Sequence, residues 1–307
     1  MADSTIPNSF KVAFDDQCKL VYQDRGGRLR QCVRSKQTDA TEVTFYRLGK
    51  GEAKDKERGA KVPRLNLDRI PTKVKLKKKY ASEAIDDLDT KVQAYDELPK
   101  IAESVVMACT RAQDNMIKEA IETKAIEVGN VIPHNDTGWT LAKVKKLHRQ
   151  FGRNHIFDSG TGRNFVFTTS VGFEDLLDIP QLSNVDWIGQ GEMPFRMSGL
   201  RGFRWYGFEW YTWDALNIDD DEISYSLAFN SECVAFAYAA DLSTKIYYDE
   251  NTDEHVAKAK FYAGAGVIDE MGIMVIQNVE TEPETEPDPD PNPNPNPEGG
   301  AGSGPGT

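Results

Sequence analysis

The sequence lacks the signatures of an enzyme. It has no nucleophile elbow and no phosphate loop, and Gly160-Thr-Gly162 precedes a strand pattern rather than opening a helix, as a dinucleotide site requires. Cys18, Cys32, Cys109 and Cys233 are dispersed without the paired spacing of a zinc site or redox motif, so they read as reduced and structural. The acidic run Asp219-Asp-Asp-Glu222 lacks the alternating oxygen ligands and glycine of a calcium loop and is expected to be a solvated turn. His148 and His155 have no carboxylate motif between them, which makes them surface or junction histidines. No catalytic, cofactor-binding or metal-binding residue is assigned, and no cofactor or enzyme activity is expected. The longest apolar run, Cys233 to Ala240, is far shorter than the roughly 20 residues that cross a bilayer, so no membrane partner is expected. Met1 to Ser9 has neither the basic start nor the apolar stretch of a secretory signal, and the chain is expected to fold in the cytoplasm where it is made.

An excess of positive charge is also missing. The formal net charge of −12 argues against a molecule that binds nucleic acid over its whole surface. The charge is unevenly distributed, however. Residues 47–79 contain 13 Lys or Arg against four acids, a local net of +9, which leaves −21 on the rest of the chain. Two strand candidates frame this region: Thr41 to Leu48, rich in β-branched and aromatic residues, and Thr72 to Tyr80. The intervening stretch is too long for a tight hairpin, and a loop of that length usually serves function or assembly. Along the second strand Lys73, Lys75, Lys77 and Lys79 share one face, because side chains alternate with a period of two. They sit about 7 Å apart, within a Debye length of roughly 8 Å, so the row repels itself unless partnered. The opposite row, Thr72, Val74, Leu76 and Tyr80, is the one that can pack. Taken alone, the residues leave three readings of this hairpin open: a solvated loop, a nucleic-acid contact and a self-assembly arm.

The 307 residues suffice for about two domains, and a content of 39% hydrophobic and 28% charged residues is that of a globular chain. Residues 1–35 are polar with scattered apolar anchors and read as an extended arm. The clearest helix is heralded by Asp96, Glu97 and Pro99, repeats apolar residues from Ile101 through Val105, Cys109, Ala112, Met116 and Ala120, and stops at Gly129. Lys100 to Val128 would run about 43 Å, long enough to cross a subunit. Short segments follow: a helix at Leu141 to Phe151, a turn at Ser159 to Gly162, a strand at Phe165 to Thr169 and a helix at Phe173 to Leu177. Arg201 to Trp213 is a strand candidate holding seven aromatics. With Arg201 and Arg204 it could form a base-stacking or sugar-binding platform, but aromatics on both faces favour burial between two layers. Further strands are expected at Ile223 to Phe229, Val234 to Ala239, Thr244 to Asp249, His255 to Tyr262 and Met271 to Gln277. Beyond Val279, eight prolines alternate with acids and asparagines, giving an extended, solvated tail.

This order resembles the Hong Kong ninety-seven type shell fold of tailed-bacteriophage major capsid proteins. Three sets of stretches carry the resemblance. Lys61-Val-Pro-Arg-Leu-Asn-Leu and Tyr80-Ala-Ser-Glu-Ala-Ile-Asp-Asp-Leu-Asp are similar to the family's descending hairpin arm and its junction with the long helix. Phe165-Val-Phe-Thr-Thr-Ser, Asp186-Trp-Ile-Gly and Gly199-Leu-Arg-Gly-Phe-Arg-Trp-Tyr-Gly-Phe-Glu-Trp-Tyr resemble its middle strands and helix. Ala235-Phe-Ala-Tyr-Ala, Thr244-Lys-Ile-Tyr-Tyr-Asp and Gly264-Ala-Gly-Val-Ile-Asp-Glu-Met-Gly-Ile-Met-Val resemble its closing strands.

The resemblance implies an α+β major capsid fold with an N-terminal arm (1–35), an extended basic hairpin loop (36–82), a peripheral domain with a spine helix (83–137 and 243–278), an axial domain (138–242) and an acidic tail (279–307). It implies a self-assembling subunit of an icosahedral head enclosing double-stranded DNA, found in the virion capsid and assembled in the host cytoplasm. The expected partners are copies of itself in hexamers and pentamers, a portal, a decoration protein, packaged DNA bound without sequence specificity and, since the chain has no room for a built-in scaffold, a separate scaffolding protein. Inter-subunit contact is expected at Lys54, Lys56, Arg58, Lys61, Arg64, Lys73, Val74, Lys75, Leu76 and Tyr80. A nucleic-acid-binding module using the basic loop and a glycan-binding module using the aromatic strand are the alternatives.

Overall fold

A computed structural model describes residues 26–49, 51–56, 58–59, 61–62, 64–65, 67–86, 98–157, 162–183, 203–252 and 254–280. The first 25 residues of the expected arm, most of the Ser159 to Gly162 turn, the Asp186-Trp-Ile-Gly stretch and the tail from residue 281 lie outside the described residues.

The helix foreseen from Lys100 forms as α1, Leu98–Val128. Its buried stripe, Val105, Cys109, Met116, Ile117, Ile121 and Ala125, follows the spacing of three and four that a 3.6-residue turn requires, and Gly129 ends it at φ +80°. A six-stranded sheet lies against this stripe, ordered β5 (Val131–Ile132), β12 (Ile273–Val279), β9 (Ile223–Asn230), β6 (Asn164–Thr168), β8 (Phe208–Thr212) and β7 (Phe203–Trp205). Phe165 and Phe167 of β6 point towards the α1 stripe, whereas Val166 between them joins Val144, Leu147 and Phe151 of α2 (Leu141–Arg153) on the other face. The sheet is thus covered on both sides. That explains why this part of the sequence carries apolar residues at successive positions rather than in alternation. Two short helices follow β6: α3 (Ser170–Leu177), capped by the Thr169 side chain accepting from Gly172 N, and α4 (Pro180–Ser183).

A second sheet of four strands has the order β1 (Arg34–Gln37), β10 (Val234–Asp249), β11 (Glu254–Val267) and β4 (Lys77–Asp86). The two strands foreseen before Glu250 are one long β10 with irregular register between Tyr238 and Ser243, which a break in apolar alternation had divided in the sequence. The strand foreseen from Met271 begins at Ile273 after a 3₁₀ turn, Glu270–Gly272, and hydrogen-bonds into the six-stranded sheet beside β9 and β5. The segment before β1 is secured as well: Leu29 in a 3₁₀ turn, Leu29–Cys32, is fully buried, and Asp114 of α1 accepts from the backbone N–H groups of Arg28 and Leu29.

Two strand readings need correction. Arg201 to Trp213 is not one strand but a hairpin of β7 and β8. Tyr206 and Gly207 both adopt positive φ, 54° and 84°, the geometry of a two-residue hairpin turn, and the aromatic run masks that signal in the sequence. Thr72 to Tyr80 likewise divides. Its first half belongs to β3 (Arg69–Lys75), paired with β2 (Glu42–Leu48), and its second half to β4 in the four-stranded sheet.

Candidate assembly surface

The basic hairpin rises from a fixed base. Val43 and Phe45 of β2 and Val74 of β3 pack on Ala235 and Ala237 of β10, forming a small core of their own. The strand β3 crosses β11 so closely that a Cβ on Gly264 would lie 2.3 Å from the Lys75 carbonyl oxygen, and one on Gly266 would lie 2.8 Å from Val74. Glycine at these two positions is what lets the hairpin seat, a role the sequence does not announce. Arg47 adds an ion pair to Asp269 in the turn before β12.

Beyond this base the loop is exposed. Lys54, Lys56, Arg58, Lys61 and Arg64 all face solvent. So do several large apolar residues: Val62 is 74% exposed and Tyr46 63%, with Leu48, Leu65, Leu67, Ile70 and Tyr80 also open. Leu65 and Leu67 lie against Gly51, where a Cβ would come within 2.1 Å of Leu65, so the two limbs of the loop touch. Among the foreseen contact residues, Val74 is 2% exposed and Leu76 half-buried. These two pack within their own subunit, at the seat of the loop. Tyr80 does not join that anchoring row. Its ring is open to solvent with the Lys258 ammonium 5.1 Å from its centroid. Sequence reasoning missed the apolar set from Tyr46 to Ile70, although the pattern Val-x-x-Leu-x-Leu-x-x-Ile within a polar loop was a signal for it.

The lysine row survives the division of its strand. Lys73, Lys75, Lys77 and Lys79 line one groove of about 570 Å³, whose other wall is Met116, Glu119, Ala120, Thr123, Lys124 and Glu127 of α1. Lys73 reaches Glu42 at 3.6 Å, and Lys124 pairs with Glu127 at 3.1 Å and Glu270 at 3.9 Å. Among the described residues no carboxylate lies within ion-pair distance of Lys75, Lys77 or Lys79.

The competing sites do not assemble. Phe203, Phe208, Trp210 and Trp213 are buried, and Trp210 meets Trp139 edge-on at 5.1 Å, so the aromatic hairpin fills core rather than forming an open platform. Arg204 and Arg163 both hydrogen-bond Glu209. Burial pushes this carboxyl up, but the two guanidiniums outweigh that effect and hold it below its ordinary range. His148 stacks on Phe157 at 4.8 Å, and Asp219 accepts from the backbone N–H groups of Asp221 and Ile223, closing its acidic turn. Among the described residues no group of His, Cys, Asp or Glu side chains could hold a metal. Cys32, Cys109 and Cys233 are free and buried. Burial pushes the thiols of Cys32 and Cys233 up to about 12, which leaves them unreactive.

The structure superposes on a capsid protein of the cyanophage P-SCSP1u with a TM-score of 0.64 at 12% identity, covering 84% of this chain and 90% of that one. It likewise matches a protein of the Microbacterium phage Oxtober96 (TM-score 0.61, 16% identity, 90% of this chain and 94% of that one) and the capsid of an empty GTA particle (TM-score 0.61, 12% identity, 91% and 94%). No curated protein matches the sequence. The model of the phage capsid protein family matches residues 6–280, and the chain belongs to that family. It is a major capsid protein, a structural subunit of a bacteriophage shell.

Proposed function

We propose that this subunit closes an icosahedral head around double-stranded DNA by laying its 36–82 loop on a neighbouring copy within hexamers and pentamers. One observation carries the reading: a loop seated on a packed base leaves Tyr46, Leu48, Val62, Leu65, Leu67 and Ile70 open to water. Large apolar side chains concentrated on one projection mark an interaction surface. Around them Lys54, Lys56, Arg58, Lys61 and Arg64 give the loop its positive charge, and the −21 outside residues 47–79 supplies an acidic counterpart on the neighbour. Exposed ion pairs contribute only about 0.2 to 1 kcal/mol each, so the charges set register and encounter while the apolar residues provide most of the binding.

The finer assignments belong to the same proposal. They comprise the division into arm, loop, peripheral and axial domains; the separate scaffolding protein, portal and decoration protein; DNA packaged without sequence specificity; the absence of intrinsic catalysis; and assembly in the host cytoplasm before residence in the virion. The central test is charge reversal at Lys54, Lys56, Arg58 and Lys61 to glutamate. The variant is expected to remain soluble with unchanged circular dichroism and to form few shells by negative-stain microscopy. Normal assembly combined with lost DNA binding would replace the clasp with the nucleic-acid reading.

A further inference from the structure

The groove between β3, β4, β11 and α1 concentrates positive charge within an acidic molecule. It is lined by Lys73, Lys75, Lys77, Lys79 and Lys124 against Glu119 and Glu127. Lys73 and Lys124 have ion-pair partners of their own, whereas Lys75, Lys77 and Lys79 have none among the described residues. Lysines two residues apart on a strand sit about 7 Å apart, inside a Debye length of roughly 8 Å, so they repel one another until carboxylates enter between them. The volume of about 570 Å³ is that of a small-ligand cleft, enough for the tip of a turn and too small for a nucleic-acid duplex.

An unpaired acidic projection lies on the opposite flank of α1. The turn Asp219–Glu222 closes the loop between β8 and β9, and its backbone is fixed. Asp219 Oδ1 accepts from Asp221 N at 3.1 Å and Ile223 N at 2.8 Å, and the Glu222 carbonyl oxygen accepts from Glu280 N at 2.8 Å. The side chains of Asp220, Asp221 and Glu222 are left exposed, with no Lys or Arg within ion-pair distance among the described residues. Two residues before the turn, Asn217 accepts from Lys118 Nζ at 2.9 Å and donates to Glu122, which ties this loop to α1. Lys118 and Glu122 sit at the same height on the helix as the groove residues Met116 to Glu127. They point about 150° away from them, because each residue turns the helix by about 100°. Groove and turn thus face different ways, and none of the turn's residues lines the groove of its own chain.

We propose that the Asp220–Glu222 turn of one copy enters the lysine groove of the next, setting three carboxylates among three unpartnered ammoniums. Each copy then offers its turn on one flank and its groove on the other, a head-to-tail contact that closes into a ring when successive copies rotate about one axis. Complementary charges of this kind fix the register between copies. The inference rests on the reading that copies gather into hexamers and pentamers. It is separate from the loop clasp, because it uses neither the basic residues from Lys54 to Arg64 nor the exposed apolar set.

The test begins with shells assembled from equal parts of isotope-labelled and unlabelled full chain. A carbodiimide, which joins amines to carboxylates in direct contact, is applied and the links are mapped by mass spectrometry. Links from Lys75, Lys77 or Lys79 to Asp220, Asp221 or Glu222 are expected, about half of them joining chains of different isotope content. The groove triple, Lys75→Glu, Lys77→Glu and Lys79→Glu, and the turn triple, Asp220→Lys, Asp221→Lys and Glu222→Lys, should each lower shell yield about tenfold. A chain carrying all six changes should recover most of that yield. Links confined to chains of one isotope content overturn the proposal, as does the absence of links at these residues. So does a six-change chain, folded by circular dichroism, that assembles no better than either triple. Normal yield for the groove triple with reduced DNA retention overturns it as well and gives the groove to nucleic acid. All these chains keep the loop intact, so if loop reversal blocks shells while these tests fail, the groove contact falls and the clasp stands.

Discussion

The six-stranded sheet and the basic loop use the same kinds of apolar residue to opposite ends. In the sheet, Phe165, Phe167, Phe208, Trp210 and Phe229 are all nearly inaccessible, covered on one side by α1 and on the other by α2. In the loop, Tyr46, Leu48, Val62 and Leu65 each leave more than half of their surface open to solvent. The sheet is complete within one chain, whereas the proposed clasp makes the loop half of an interface. Mutations should therefore divide cleanly: sheet substitutions act on folding, loop substitutions on assembly.

The largest effect is expected at the centre of the sheet. The Phe229 ring lies between Phe165 and Phe167, with centroids at 5.8 and 5.9 Å. Removing it in Phe229→Ala should cost about 3–5 kcal/mol, a large share of the roughly 5–15 kcal/mol that hold a domain together. Urea denaturation of the variant would measure the loss. Val62→Ala with Leu65→Ala should change subunit stability by less than about 0.5 kcal/mol while reducing shell yield. Loss of stability from the loop pair comparable to that from Phe229→Ala would show that the loop is core and erase the distinction.

Next in size is a buried charge that ties α2 to the end of β12. The Lys143 ammonium donates to the carbonyl oxygens of Thr137 and Gln277 and to Asn278 Oδ1, and burial pulls its pKa from 10.5 down to about 8. Lys143→Met would leave three acceptors without their donor, which should cost about 2–4 kcal/mol in the denaturation midpoint. A smaller effect is expected where the two regions meet. Gly264→Val would drive a side chain into the Lys75 carbonyl and unseat the loop, at a cost of about 1–3 kcal/mol. Limited proteolysis should then cut the base of the loop, near Lys73 to Lys79, faster than in the parent chain, with the sheet still protected.

Much of this was legible in the sequence where a single period governs burial. The stripe from Val105 to Met116 indicated α1, and the charge count of residues 47–79 located the projecting loop. Legibility failed where tertiary context overrode the period. Lys73 to Lys79 keep a strict alternation across a boundary between two sheets, so the sequence showed one strand where there are two. Tyr206-Gly207 is a turn hidden among aromatics, because the flanking residues are buried on both faces. At the candidate site, the basic residues could be read from charge, but the apolar residues of the loop could not be separated from core residues until their exposure was known. Gly264 and Gly266 had no readable role, since the Lys75 carbonyl and the Val74 side chain that they respectively approach are about 190 positions away in sequence.

The smallest effect expected tests whether α1 carries a titrating group where it meets the loop between β8 and β9. Glu122 is buried there. Burial pushes its carboxyl from 4.5 up to about 7, partly offset by the nearby Lys118 ammonium and by the hydrogen bond it accepts from Asn217. Its other oxygen, Oε1, has no hydrogen-bond partner among the described residues. Because the folded chain holds this proton more tightly than the unfolded chain, folding binds a proton between about pH 4.5 and 7, and stability falls as pH rises through that window. Glu122→Gln keeps an oxygen for Asn217 and removes the charge. It should raise stability by about 1 kcal/mol at pH 8, give little gain at pH 4, and flatten the slope between. Thermal melts of both proteins across that range provide the measurement. An equal gain at pH 4 and pH 8 would assign the benefit to packing rather than to charge, and would leave the junction between α1 and that loop without a pH response.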